Sequence, residues 1–169
     1  MAETKITYGS DVALAVTEWD ATLAAGQFAT SAIFDNTTDL FVDVLCGGVL
    51  ELDATTPVAG DTMDIYISGQ YSGTATDMTG AIDALFGAAT EEVEDTAFVK
   101  ANLILFKSVS VEATTPATAQ GYHWGPIGVA QFFGGVMPQR FMFTLHNNTA
   151  GTMAAGPDVN TVGITYTTA

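Results

Sequence analysis

Basic residues are almost missing from this sequence. Four lysines and arginines stand against nineteen aspartates and glutamates, a formal charge of −15 over 169 residues. Such a chain repels nucleic-acid phosphates and anionic lipid headgroups alike, so direct binding to DNA, RNA or a membrane surface is not expected. Cysteine is equally scarce. Cys46 alone rules out an intrachain disulfide, and with Val44 and Leu45 beside it and no activating group adjacent, it reads as a small buried side chain rather than a reactive thiol. Long apolar runs are lacking too: stretches such as Leu103–Phe106 fall far short of the roughly 20 residues that span a bilayer. The opening MAETKITYGS has no basic segment followed by an apolar one, so no secretory signal or cleavage is expected, and the protein should be soluble.

The chemistry that most enzymes need is also thin. Only two imidazoles occur, His123 and His146, and neither sits in a nucleophile motif or a zinc-binding spacing. There is no phosphate-cradling glycine loop. No catalytic residue, no cofactor-binding residue and no cofactor are therefore expected.

What is present is apolar substance. Hydrophobic residues make up 48% and charged ones 14%, which favours a packed protein with a rather uncharged surface. The length suits one domain over residues 1–169.

Strand patterns recur along the chain. Tyr122–Thr149 holds two of them around a Gly134-Gly135 and Pro138 corner. In the first, Ile127, Val129 and Gln131 alternate with Pro126, Gly128, Ala130 and Phe132; in the second, Phe141, Phe143 and Leu145 form one strongly apolar face. The second set is expected to face the core. Earlier, Ile6 and Tyr8 lie in a short extended segment, whereas DVALAVTEW fits neither the strand nor the helix period. From Gly26, GQFATSAIFDN reads as a strand ending in an Asp-Asn-Thr-Thr turn. Leu40–Leu52 reads as a long strand in which Gly47-Gly48 marks a bulge or bend. Met63, Ile65 and Ile67 define another, and Phe98–Val111 a further one with Leu103, Leu105, Val109 and Val111 in phase. Thr114–Gly121 reads as a linker. Val162, Ile164 and Tyr166 supply a closing strand.

Residues 69–97 differ, being rich in Gly, Ala and Thr and ending in acid. They read as an elaborated loop, with one or two helical turns in TGAIDALFG. Seven or eight strands joined by Gly, Pro, Asn and Asp turns predict an all-β, two-sheet sandwich, jelly-roll-like.

Two places invite a site. The EEVED run offers Glu91, Glu92, Glu94 and Asp95, hard oxygen ligands that can hold calcium where other loops converge on them. Such a run is more often a solvated loop, and no EF-hand pattern accompanies it. Tyr122, His123 and Trp124 form an aromatic cluster of the kind enriched at interfaces, a candidate contact surface.

The order of segments resembles that of small β-rich virion structural proteins of tailed bacteriophages. The matching pieces are LAAGQFATSAIFDNTTDLFVDVLCGGVLEL, VAGDTMDIYISGQYSG, ANLILFKSVSV, GPIGVAQFFGGVMPQRFMFTLHNNTAGTM and VGITYTT. The Asp-Asn-Thr turn before a long strand, and the Gly-Gly and Pro corner leading to an Asn-Thr-Gly turn, carry the likeness. Thr76–Asp95 departs from it. The resemblance implies a non-enzymatic capsid decoration, or cement, protein made in the host cytoplasm and carried on the capsid surface. Its implied partners are the major capsid protein and copies of itself. The alternatives are a carbohydrate-binding module presenting Tyr122, Trp124 and Tyr71 to sugar, since jelly rolls often display aromatics, and a tail- or fibre-associated adhesion domain.

Overall fold

In the computed structural model, which describes residues 4–16, 19, 23–53, 58, 60–75, 103–112, 119–154 and 156–168, the alternating stretches are strands. They are β1 (Thr4–Leu14), β2 (Phe28–Thr30), β3 (Phe34–Asp35), β4 (Asp43–Leu52), β5 (Thr62–Gln70), β6 (Ile104–Ser110), β7 (Gln120–Gly128), β8 (Arg140–Asn148) and β9 (Asp158–Thr168). All pair antiparallel. Sheet A runs β1-β9-β4-β7 and sheet B runs β2-β8-β5-β6, with the two-residue β3 also on β8. With β3 set aside, eight strands in these two orders make a jelly roll, the architecture expected from the sequence.

The inner faces meet in one apolar core. Sheet A contributes Val44, Cys46, Leu50, Leu52, Trp124 and Val159, and sheet B contributes Met63, Ile65, Ile67, Phe106, Phe141, Phe143 and Leu145. Phe141, Phe143 and Leu145 are fully buried, as their alternation predicts. Full burial of each such side chain is worth about 1.5–3 kcal/mol, so this layer is the main source of stability. Trp124 of sheet A lies edge-on to Phe106 and Phe143 of sheet B, with ring centroids 6.0 and 6.1 Å apart. Trp19, before β2, is completely buried and its indole N–H donates to the Ala29 carbonyl at 3.1 Å.

Several boundaries differ from the sequence reading, each for a local reason. The stretch from Pro126 to Phe132 is not one strand: β7 begins at Gln120, inside the expected linker, and ends at Gly128, and Ala130–Phe133 forms a 3-10 turn. The Asp43 carboxylate accepts from the backbone N–H groups of both Val44 and Ala130, each at 2.8 Å, which draws the chain out of the ladder. Gly134, with φ 70°, then closes the turn. The strand expected in GQFATSAIFDN splits into β2 and β3. There the Ser31 hydroxyl oxygen accepts from the Phe143 N–H at 3.0 Å, in place of a main-chain acceptor.

Leu40 does not begin β4. It has a left-handed φ of 52°, and the Asn36 amide grips Phe41 by both its N–H (2.8 Å) and its carbonyl (3.0 Å). In β6 the register slips opposite Ile65 and Tyr66, so Phe106 turns inward and Leu105 outward. Leu105 is therefore not in phase with Val109. β5 runs through Gln70, two residues into the stretch read as loop. Glu91, Glu92, Glu94 and Asp95, and the helical turns read in TGAIDALFG, lie outside the described residues.

The expected irregularity at Gly47-Gly48 is present. Pairing of β4 with β7 shifts between Cys46 and Gly48, where β7 carries one extra residue at a cis Gly125–Pro126 bond. A side chain at Gly48 would overlap the Asp158 carbonyl, and one at Gly47 would lie 2.9 Å from the Trp124 carbonyl oxygen. The glycines let three backbones approach closely.

Two outcomes follow from this packing. Phe143→Ala should destabilise the fold by about 3–5 kcal/mol, the range for emptying a large aromatic site, as measured by the denaturant midpoint. In the Asp-Asn-Thr-Thr turn, the hydroxyl and N–H of Thr37, and then Arg140, hold the Asp35 carboxyl below its ordinary value of 3.8. Because the folded value is depressed, the ionised group stabilises the fold above about pH 3.8, and this contribution disappears as the pH falls through the folded value. Asp35→Asn should therefore be modestly less stable than the wild type at neutral pH, and the difference should shrink on acidification.

Candidate functional site

The outward side of sheet A carries a group of apolar residues at its middle. β4 presents Leu45, Gly47 and Val49, β9 presents Asp158, Asn160 and Val162, and β7 presents His123. With Tyr8 and Asp11 of β1 on one side and Gly125 and Pro126 on the other, they enclose an open concavity of about 650 Å³. Its form follows from the sequence. Gly47, Gly48 and Gly125 make a floor of bare backbone, and the extra residue of β7 raises Pro126 as a wall. Asp158 is held in place at the start of β9: its Oδ1 accepts from the Val49 N–H at 2.9 Å, and Oδ2 accepts from the Asn160 amide at 3.4 Å. The concavity thus offers aliphatic surface, one exposed tyrosine ring and a rim of two carboxylates, an amide and an imidazole.

Strand alternation divides the aromatic cluster expected at Tyr122, His123 and Trp124. Trp124 points inward and is 5% exposed; its buried Nε1 has no hydrogen-bond partner among the described residues. Tyr122 is half-buried and packs against the core. Burial foremost, and the nearby Glu112 carboxylate next, raise its phenol pKa above the ordinary 10.0. His123 alone is exposed, and it lines the concavity. Tyr71 follows β5 in sheet B, where its hydroxyl donates to the carbonyls of Phe133 and Val136 at 3.2 and 3.3 Å. Tyr122, Trp124 and Tyr71 accordingly do not form one exposed platform.

A second polar grouping was not visible in the sequence. On the outward side of sheet B, Ser108 of β6, Asp64 of β5 and His146 of β8 lie side by side. The Ser108 hydroxyl donates to Asp64 Oδ1 at 2.6 Å, while Asp64 Oδ2 is 3.9 Å from His146 Nδ1. His146 is buried and stacks on Phe28, with ring centroids 4.2 Å apart. These residue types are those of a hydrolytic triad, but the order is different. The carboxylate lies between serine and histidine, so the imidazole is not placed to take the serine proton. Burial, followed by the Asp64 charge, pushes the Tyr66 phenol up to about 12, keeping it protonated at neutral pH. No sequence signal could have announced the group, because three separate strands assemble it.

Among the described residues, no three His, Cys, Asp or Glu side chains gather in a way that could hold a metal ion, and no helix is long and apolar enough to cross a membrane. Comparison of the chain with protein-family models and with curated proteins finds no match.

Cys46 is fully buried beneath the concavity floor. Burial, and secondarily the Asp43 carboxylate, push its thiol pKa well above the ordinary 9.0. An alkylating reagent at mildly alkaline pH should leave the native protein unmodified and label it stoichiometrically once denaturant is added; mass spectrometry reads both. Rapid native labelling would show that the floor opens readily.

Proposed function

We infer that the chain is a non-enzymatic structural protein of a phage virion, a decoration or cement protein that binds the outside of the head and stabilises it. The observation that carries this reading is the outward face of sheet A. Its middle is apolar over a backbone floor, with carboxylates towards its margins, on a molecule whose formal charge is −15. Specific interfaces bury about 1,600 Å², and their centres are depleted in charge. Leu45, Val49 and Val162 suit such a centre, with Asp11, Asp158 and His123 at its rim. The resemblance in segment order to phage virion proteins supplies the kind of partner, the major capsid protein. The jelly roll supplies a rigid support, because the contact residues sit on paired strands rather than on loops.

The test uses particles of the encoding phage stripped of this protein. Added back, the wild type should rebind at low and high ionic strength and restore resistance to heat, since packing rather than ion pairing holds it. Val49→Asp, on the outward face, should fold normally yet lose rebinding by tenfold or more, because it buries a charge at the centre of the contact. Failure of the wild type to rebind in either condition, together with retention on an immobilised polysaccharide and release by free sugar, would replace this reading with the carbohydrate-binding one.

A further inference from the structure

β9 outruns its neighbour in sheet A. Its pairing with β4 ends at Asp43 opposite Ile164, whereas its pairing with β1 continues to Thr4 opposite Thr168. Among the described residues, the sheet beyond Ile164 is therefore a ribbon of two strands, Thr4–Thr7 against Thr165–Thr168. Ten of the eleven residues of β1 are exposed. Ile6 is opposite Tyr166 and Tyr8 is opposite Ile164, which puts all four side chains on one face, the face continuous with Val162 and the concavity. Ile6, Tyr8 and Tyr166 are 58%, 62% and 60% exposed.

Three physical facts bear on what covers this ribbon. A two-stranded ribbon is at best marginally stable in water and gains from a third strand. Among the described residues no strand lies on the outer edge of β1, and a long β-branched and aromatic edge is a template for pairing. Charge selects the occupant. Across Thr4–Tyr8 and Ile164–Thr168 the only charged residue is Lys5, in a molecule of net −15. This is a place where two copies can approach without bringing carboxylates together.

We propose that β1 pairs antiparallel with β1 of a second copy across a two-fold axis centred on Ile6. Thr4 then lies opposite Tyr8 of the second copy, Lys5 opposite Thr7, and Ile6 opposite Ile6. The regular segment before the register shift between Tyr8 and Asp11 is used in full, and Asp11 stays outside it. Two four-stranded sheets become one of eight strands, and the Ile and Tyr side chains of both copies form a continuous apolar strip across the axis. Such an interface is isologous and closes at two copies.

Sedimentation of the free protein, with no particle present, tests this separately from particle binding. The wild type should sediment at twice the 17.6 kDa chain mass, and the dimer should tighten as ionic strength rises, because salt screens the repulsion between two acidic molecules. Ile6→Lys and Ile6→Asp should each be monomeric, since like charges then face each other across the axis. An equimolar mixture of the two should recover the dimer, which also shows that both fold. Val136→Lys, at another exposed apolar position, should dimerise like the wild type. A monomeric wild type would overturn the proposal and leave the ribbon to a different partner. A trimer or larger ring, an Ile6→Lys protein that still dimerises, or a mixture that stays monomeric would overturn it as well.

Discussion

The edge-on contact of Trp124 with Phe106 and Phe143 joins the two sheets directly, and much else follows from it. A sandwich is stable only if each sheet hides one face in the other, and large aromatic side chains do this with few residues. Phe143 also touches Phe141 edge-on, at 5.5 Å between centroids, and Phe141 stacks on Phe34 at 4.8 Å. One chain of rings thus runs from β7 through β8 to β3. Committing Trp124 to this chain leaves His123, its neighbour in sequence, facing outward, so core packing decides which residue of the cluster meets solvent.

Glycine placement then shapes the outer face. Gly48 admits the Asp158 backbone, and Gly47 admits the irregular β7 strand. Without side chains at these positions the sheet is thin there, and the outside of sheet A becomes concave. The same residues serve packing and form a floor that another molecule can approach. In contrast, the outward side of sheet B buries polar groups, among them His146, Thr144 and Asp64. The two sheets therefore share an architecture but differ in what their outer faces can do.

Much of the fold was legible because most strands keep period two without interruption. Phe141, Phe143 and Leu145 declare their face unambiguously, and the turn at Asp35–Thr38 is written in residues whose side chains bond the local backbone. The misreadings gather where one residue shifts the phase. The extra residue of β7 puts Ile127, not Pro126, on the core-facing side with Trp124, and the slip in β6 sent Leu105 outward and Phe106 inward. A one-residue change reverses every later side chain, and only the partner strand reveals it. The concavity was less legible still, since it draws on four strands from both ends of the chain. The apolar side chains of β9 were visible as a set, but not that the small Gly163 faces the core, where the ring of Phe41 fills the space it leaves.

The strand order has a consequence for how the chain acquires its shape. β9, which follows the other eight strands in sequence, is not added at an edge but inserts between β1 and β4, strands made much earlier. Until it arrives, the two lie apart with their facing edges unsatisfied, and sheet A has no continuous existence. The contacts of β9 with β1 join residues more than 140 positions apart, as Leu14 with Val159 does, so much of the entropy of ordering sheet A falls on a late step. Sheet B suffers less from this delay, because β8, its central strand, is complete before β9 begins. Synthesis thus imposes a sequence of events: one half of the sandwich can form while the other waits on β9, exposed to any passing strand that fits the gap.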